Sequence, residues 1–115
     1  MNILSLTNGS LKNFVATVST SSMTFVETTS TAVVAKISSL MFSNNTTSFL
    51  ETATAQIVSG GVTHPLAIGM NVDPEQPPEP VIDKSRPIYL TGSQQIVGAA
   101  SSTNVSVIVT YEEFT

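Results

Sequence analysis

The chain has 115 residues, no cysteine, and four basic against eight acidic side chains, for a net charge of −4. A chain of that length fits one domain that buries roughly 65% of its unfolded surface, so a single core suffices without staples. Absent thiols remove disulfides, thiolate zinc sites and cysteine nucleophiles. Four bases are too few to track a nucleic-acid backbone, and no apolar run nears the ~20 residues of a spanning helix, so neither nucleic acid nor membrane is expected as a partner.

Sixteen serines and sixteen threonines dominate the composition. Threonine is β-branched and favours strands, and serine competes with the helical backbone for hydrogen bonds, so the bias points to an all-β fold. Forty-one per cent apolar residues, set in ordered runs, separate the chain from a low-complexity stalk.

The opening "MNILSLTNGS" lacks a basic n-region and a long apolar core. No signal peptide is expected there, and residues 1–10 read as an N-terminal arm. "KNFVATV" alternates, with Phe14, Ala16 and Val18 on one face, and "MTFVE" (Met23 to Glu27) is a short second strand. The longest run, Thr31 to Asn44, places Val33, Ala35, Ile37, Ser39 and Met41 on one face, while Leu40 and Phe42 make its far end apolar on both sides. "NNTTS" is a turn, because Asn, Ser and Thr side chains bond their own backbone.

"LETATAQIV" follows with Ala53, Ala55 and Ile57 aligned, then Gly60 and Gly61 mark a tight hairpin turn. The returning "VTHPLAI" contains Pro65, which cannot donate to a ladder, so this strand lies at an edge or breaks midway. After the proline stretch, "RPIYL" pairs briefly and "TGSQ" turns. "QIVGAA" and "NVSVIVTYEE" then flank "SST" as an expected last hairpin, with Val105, Val107, Val109 and Tyr111 on one face and Ile108 as the exception on the other. Seven or eight short strands in one domain spanning residues 1–115 predict a single antiparallel β-sandwich, jelly-roll-like or immunoglobulin-like.

Catalytic chemistry finds little to work with. His64 is the one histidine, it stands beside Pro65, and no G-x-S-x-G elbow accompanies it. The acids Glu27, Glu51, Glu112 and Glu113 read as solvated, and no tryptophan offers a sugar platform. Asp73, Glu75, Glu79 and Asp83 lack the D-x-[DN]-x-[DN]-G spacing of a calcium loop. No catalytic residue, cofactor or metal site is therefore expected. The sequons at Asn8, Asn44, Asn45 and Asn104 arise by chance in so hydroxyl-rich a chain.

"DPEQPPEP", residues 73–80, carries four prolines and three acids. Its acids disfavour an SH3 ligand, which adds a base, and the three strands after it are too few to fold alone as a second domain. It reads as a stiff loop within one sandwich.

With this strand order in place, the chain resembles small β-rich virion proteins of tailed bacteriophages over residues 31–115. The resemblance is carried by Val34 to Phe42 with Asn44, by Ile88, Tyr89, Leu90, Gly92, Gln95 and Ile96, and by Val105, Val107, Val109, Tyr111 and Glu112. Ser93-Gln94-Gln95 replaces the acid that often follows the glycine, and the proline insertion is longer. The resemblance implies a non-enzymatic structural protein located in the virion and made in the host cytoplasm. It would act as a homo-oligomer that decorates or cements a capsid against the major capsid protein, or alternatively as a neck, tail or fibre part. Expected partner contacts are Asp73, Pro74, Glu75, Pro77, Pro78, Glu79 and Pro80 in the loop, and Asn2, Ile3 and Leu4 in the arm. From another class, a carbohydrate-binding or adhesion module would have to use Tyr89, Tyr111 or the phenylalanines as its exposed aromatics.

Overall fold

The computed structural model describes residues 9–28 and 33–114. These form nine strands: β1 (Gly9–Thr17), β2 (Met23–Glu27), β3 (Val34–Asn44), β4 (Glu51–Ser59), β5 (Val62–Val72), β6 (Glu79–Ile82), β7 (Ile88–Thr91), β8 (Gln95–Ala100) and β9 (Val105–Phe114). The count exceeds the expected seven or eight because the stretch after the prolines forms two short strands, β6 and β7, that both pair with β3.

Pairings nest as in a long hairpin: β1 with β9, β2 with β8, β3 with β6 and β7, and β4 with β5. Wrapping that hairpin adds the β3–β9 and β4–β8 ladders and produces two antiparallel sheets, β1-β9-β3-β6 with β7 also on β3, and β2-β8-β4-β5. That nesting is the jelly-roll topology, which decides between the two expected sandwich types.

Two local expectations change. The predicted last hairpin does not form, because β8 and β9 belong to different sheets and Ser101–Asn104 is a corner between them. A polar turn has the same chemistry whether the chain doubles back or crosses over, and the choice is made by distant partners. Ser101 N–H bonds the Thr52 carbonyl, and Ala100 N–H bonds the Ser19 carbonyl.

In β3 the register shifts between Ile37 and Ser39. This bulge inserts one residue and reverses the alternation beyond it. Ala35, Ile37, Leu40 and Phe42 are all buried, while Ser39 and Met41 turn outward with the opposed Thr110 and Ile108. The apparent two-sided apolar end is thus one inward face read across a bulge.

The β4–β5 hairpin forms as expected, with Gly60 at φ +58° and Gly61 at φ +78°. Positive φ at both central residues suits the type I′ turn that matches sheet twist. β5 lies at a sheet edge, as Pro65 requires, and its register shifts twice along β4.

Between the sheets, Val105, Val107 and Val109 of β9 meet Ile37, Leu40, Leu90 and Ile96, all fully buried. Phe25 links the layers, with ring centroids 6.5 Å from Phe14 and 6.0 Å from Phe42 in tilted and edge-on contacts. Gly98 lies under Phe25, where a Cβ would stand 2.5 Å from the ring.

Candidate assembly surface

The buried polar groups serve the fold. Thr28 exchanges bonds with Gln94, and Glu51 accepts from Ser101 Oγ at 3.0 Å and from Ser102 Oγ. Asn44 uses its whole amide. Its Nδ2 donates to the carbonyls of Phe49 (2.7 Å) and Val72 (2.8 Å), and its Oδ1 accepts from Thr46 N–H (2.8 Å) and Thr46 Oγ (2.7 Å). Among the described residues no buried side-chain polar atom is left without a partner. His64 is exposed on β5, and among the described residues no three His, Asp or Glu side chains converge as a metal would need and no cavity opens.

Asn44 ties two loops together at one end of the sandwich. The β3–β4 loop presents Phe49 and Leu50, 67% and 56% exposed, and the proline loop leaves β5 at the buried Val72. Pro74 bridges to Asn44, and Glu75 takes φ +56° to turn the chain. Asp73, Glu75, Pro77 and Pro78 are exposed and Pro74 is half-buried. Glu79 and Pro80 belong to β6, so the excursion is shorter than the expected 73–80 and its last proline becomes a strand residue opposite Met41. An edge strand tolerates this proline because its other flank needs no N–H. Asn2, Ile3 and Leu4 lie outside the described residues.

Register assembles a second feature that the sequence scatters. On the outer face of the β1-β9-β3-β6 sheet, Val15 stands opposite Ile108, Ile108 opposite Met41, and Met41 opposite Pro80. This row of four apolar side chains crosses the whole sheet. A hydroxyl row, Thr17, Ser106 and Ser43, lies on one side of it, and Asn13, Thr110 and Ser39 lie on the other. One row further stand Leu11, Glu112, Lys36 and Tyr89. Ile108, the exception to polar alternation in β9, is thereby explained as a member of a surface row. Nothing local links Val15 to Pro80, so the sequence carried no signal for it beyond that exception.

Charge is sparse across this face. The face carries Lys36 and Glu112, opposed to each other. Lys12, on the other side of the sheet with Phe14 and Ala16, pairs with Glu113 at 2.6 Å, and that carboxylate holds the ammonium above its usual range. Asp83, beyond β6, accepts from Ser85 N–H and Oγ, which hold its carboxyl below the usual range.

No family model and no curated protein matches the chain. Among solved structures it is similar to the infectious bursal disease virus Gt strain structure (TM-score 0.40, 10% identity, 95% of this chain and 36% of that chain). It is also similar to the Gx strain structure (TM-score 0.38, 11% identity, 95% and 37%). The chain thus spans little more than a third of the length of either.

Proposed function

We propose that this chain is a non-enzymatic structural component of a virus particle, of the tailed-phage kind its sequence resembles, and that it decorates or cements the capsid as a homo-oligomer. Jelly rolls also serve as lectins and cupins, so the fold alone does not assign the role. The observation that carries the reading is the outer face of the β1-β9-β3-β6 sheet. There an apolar row from Val15 to Pro80 is bordered by hydroxyls, with few charges to strip of water on contact.

Binding energy is the mechanism. Apolar burial along Val15, Ile108, Met41 and Pro80 would supply affinity, and the hydroxyl rows would supply hydrogen bonds at the rim. The proline loop, with Asp73, Pro74, Glu75, Pro77 and Pro78, and the neighbouring Phe49 offer a stiff second contact that loses little freedom on binding. Asn2, Ile3 and Leu4 of the arm complete the proposed contacts with a neighbouring virion protein.

Quantitative mass spectrometry of particles from cells that make this chain tests the reading. Copies in the hundreds per particle, lost with Ile108→Asp and Met41→Asp, support capsid decoration. A few dozen copies or fewer would move the chain to the neck, tail or fibre. Absence from particles would overturn the virion reading.

A further inference from the structure

The two sheets have four flanks, and three of them are blunted against strand addition. β2 is five residues long with a register shift at Thr24/Val26. β5 carries Pro65 and two shifts. The flank beyond β3 is divided between β6 and β7, four residues each, with Pro80 in β6. β1 differs from all of them. It runs nine residues in unbroken register from Gly9↔Phe114 to Thr17↔Ser106, contains no proline, and has no partner on its other side among the described residues. Leu11 and Val15 on it are 72% and 67% exposed.

The groups this edge offers can be read from one bond. Val18 N–H donates to the Val105 carbonyl at 2.8 Å, one step beyond the Thr17↔Ser106 pair. In an antiparallel ladder successive residues direct their N–H and C=O to alternate sides. Even-numbered residues of β1 therefore face β9, and Gly9, Leu11, Asn13, Val15 and Thr17 face the open edge.

We propose that β1 pairs antiparallel with β1 of a second copy about a two-fold axis at Asn13, fusing two β1-β9-β3-β6 sheets into one continuous sheet. In that register every outward residue meets an outward residue: Asn13 meets Asn13, Leu11 meets Val15, and Gly9 meets Thr17. About ten backbone hydrogen bonds close. The two exposed apolar residues stand two positions either side of Asn13, so the axis brings each onto the other. Each copy's apolar row, from Pro80 through Met41 and Ile108 to Val15, is then extended by Leu11 of the second copy.

Charge suits the same register. Lys12 is the lone charged residue of β1; it would stand opposite Phe14 of the second copy while its own Glu113 neutralises it, so no like charges are directly opposed. The inference stands on this edge and not on the virion reading, since the pure chain forms the pair or fails to whatever particle it belongs to.

Disulfide trapping of the full chain, which has no native cysteine, tests the register. Across the axis the two Asn13 Cα atoms would lie about 5.5 Å apart, within disulfide reach. Mild oxidation is expected to convert most of Asn13→Cys to covalent dimer. Val15→Cys, whose two copies would stand four residues out of register at ~14 Å, should remain uncross-linked. In sedimentation velocity the unmodified chain should show a concentration-dependent dimer. The double variant Leu11→Lys/Val15→Lys, which opposes like charges at exposed positions, should raise the dissociation constant at least ~tenfold, with an unchanged thermal melt at concentrations where both proteins are monomeric. A wild-type monomer at all concentrations, or Asn13→Cys cross-linking no faster than Val15→Cys, would overturn the proposal. So would an edge that pairs only with a foreign strand, because the pure protein would then stay monomeric.

Discussion

Replacing Asn44 by alanine removes four hydrogen bonds made by one side chain, which is only 8% exposed. The amide saturates both its donors and both its acceptor positions, so no substitute side chain reproduces it. The Val72 carbonyl lies in the buried part of this cluster, and leaving such a group unpaired costs about 1–3 kcal/mol. The partly exposed Phe49 carbonyl and Thr46 N–H regain some solvation and add ~0.5 kcal/mol each. A loss of about 3 kcal/mol is expected, and at ~4 °C per kcal/mol for a domain this size the melting midpoint should fall by ~12 °C. Asn45→Ala is the control. It deletes one exposed bond, to Ser106 Oγ at 2.9 Å, and should cost less than ~0.5 kcal/mol. Far-ultraviolet circular dichroism melts and urea titrations of the three proteins supply the measurement, and amide exchange at Thr46 should accelerate in Asn44→Ala alone. A midpoint within ~2 °C of wild type would refute the reasoning that this amide clamps the two loops.

Other substitutions probe separate links. Gly98→Ala would push a methyl into the Phe25 ring and the Thr54 carbonyl, and should cost about 1–3 kcal/mol by urea titration. Gly61→Ala meets no neighbour, so its cost should be only the positive-φ penalty, roughly 1 kcal/mol, visible as a modest drop in melting midpoint. For Asp83, a carbon-13 NMR titration should find the carboxyl midpoint below the usual carboxylate range, and Ser85→Ala should raise it. Because the folded value is depressed, the Ser85 bonds contribute fully above the unfolded carboxyl range and are lost as pH falls through the folded value.

Fold class was legible because strand signals are local. Alternation in β9, the Gly60-Gly61 turn and the hydroxyl bias each depend on neighbours within a few residues, and Pro65 announced an edge through chemistry no distant partner could alter. The β3 bulge was not legible, since one extra residue between Ile37 and Ser39 is defined only against β9. Its consequence was to move Met41 from the expected inner face to the outer row. "NNTTS" read as a turn, yet the sequence could not say that Asn44 and not Asn45 would reach Val72 from across the fold.

What the sequence by itself determined is that this chain builds β-strands, where most of them lie, and how few charges it offers a partner. The tertiary structure alone decided that "SST" crosses between sheets, that Val15, Ile108, Met41 and Pro80 form one row, and that β1 is the unblunted edge. The physical reason is separation along the chain. Side-chain alternation and turn chemistry act over a few residues, whereas ladder partners such as Val15 and Ile108 are brought together only by the closing of the whole nested hairpin.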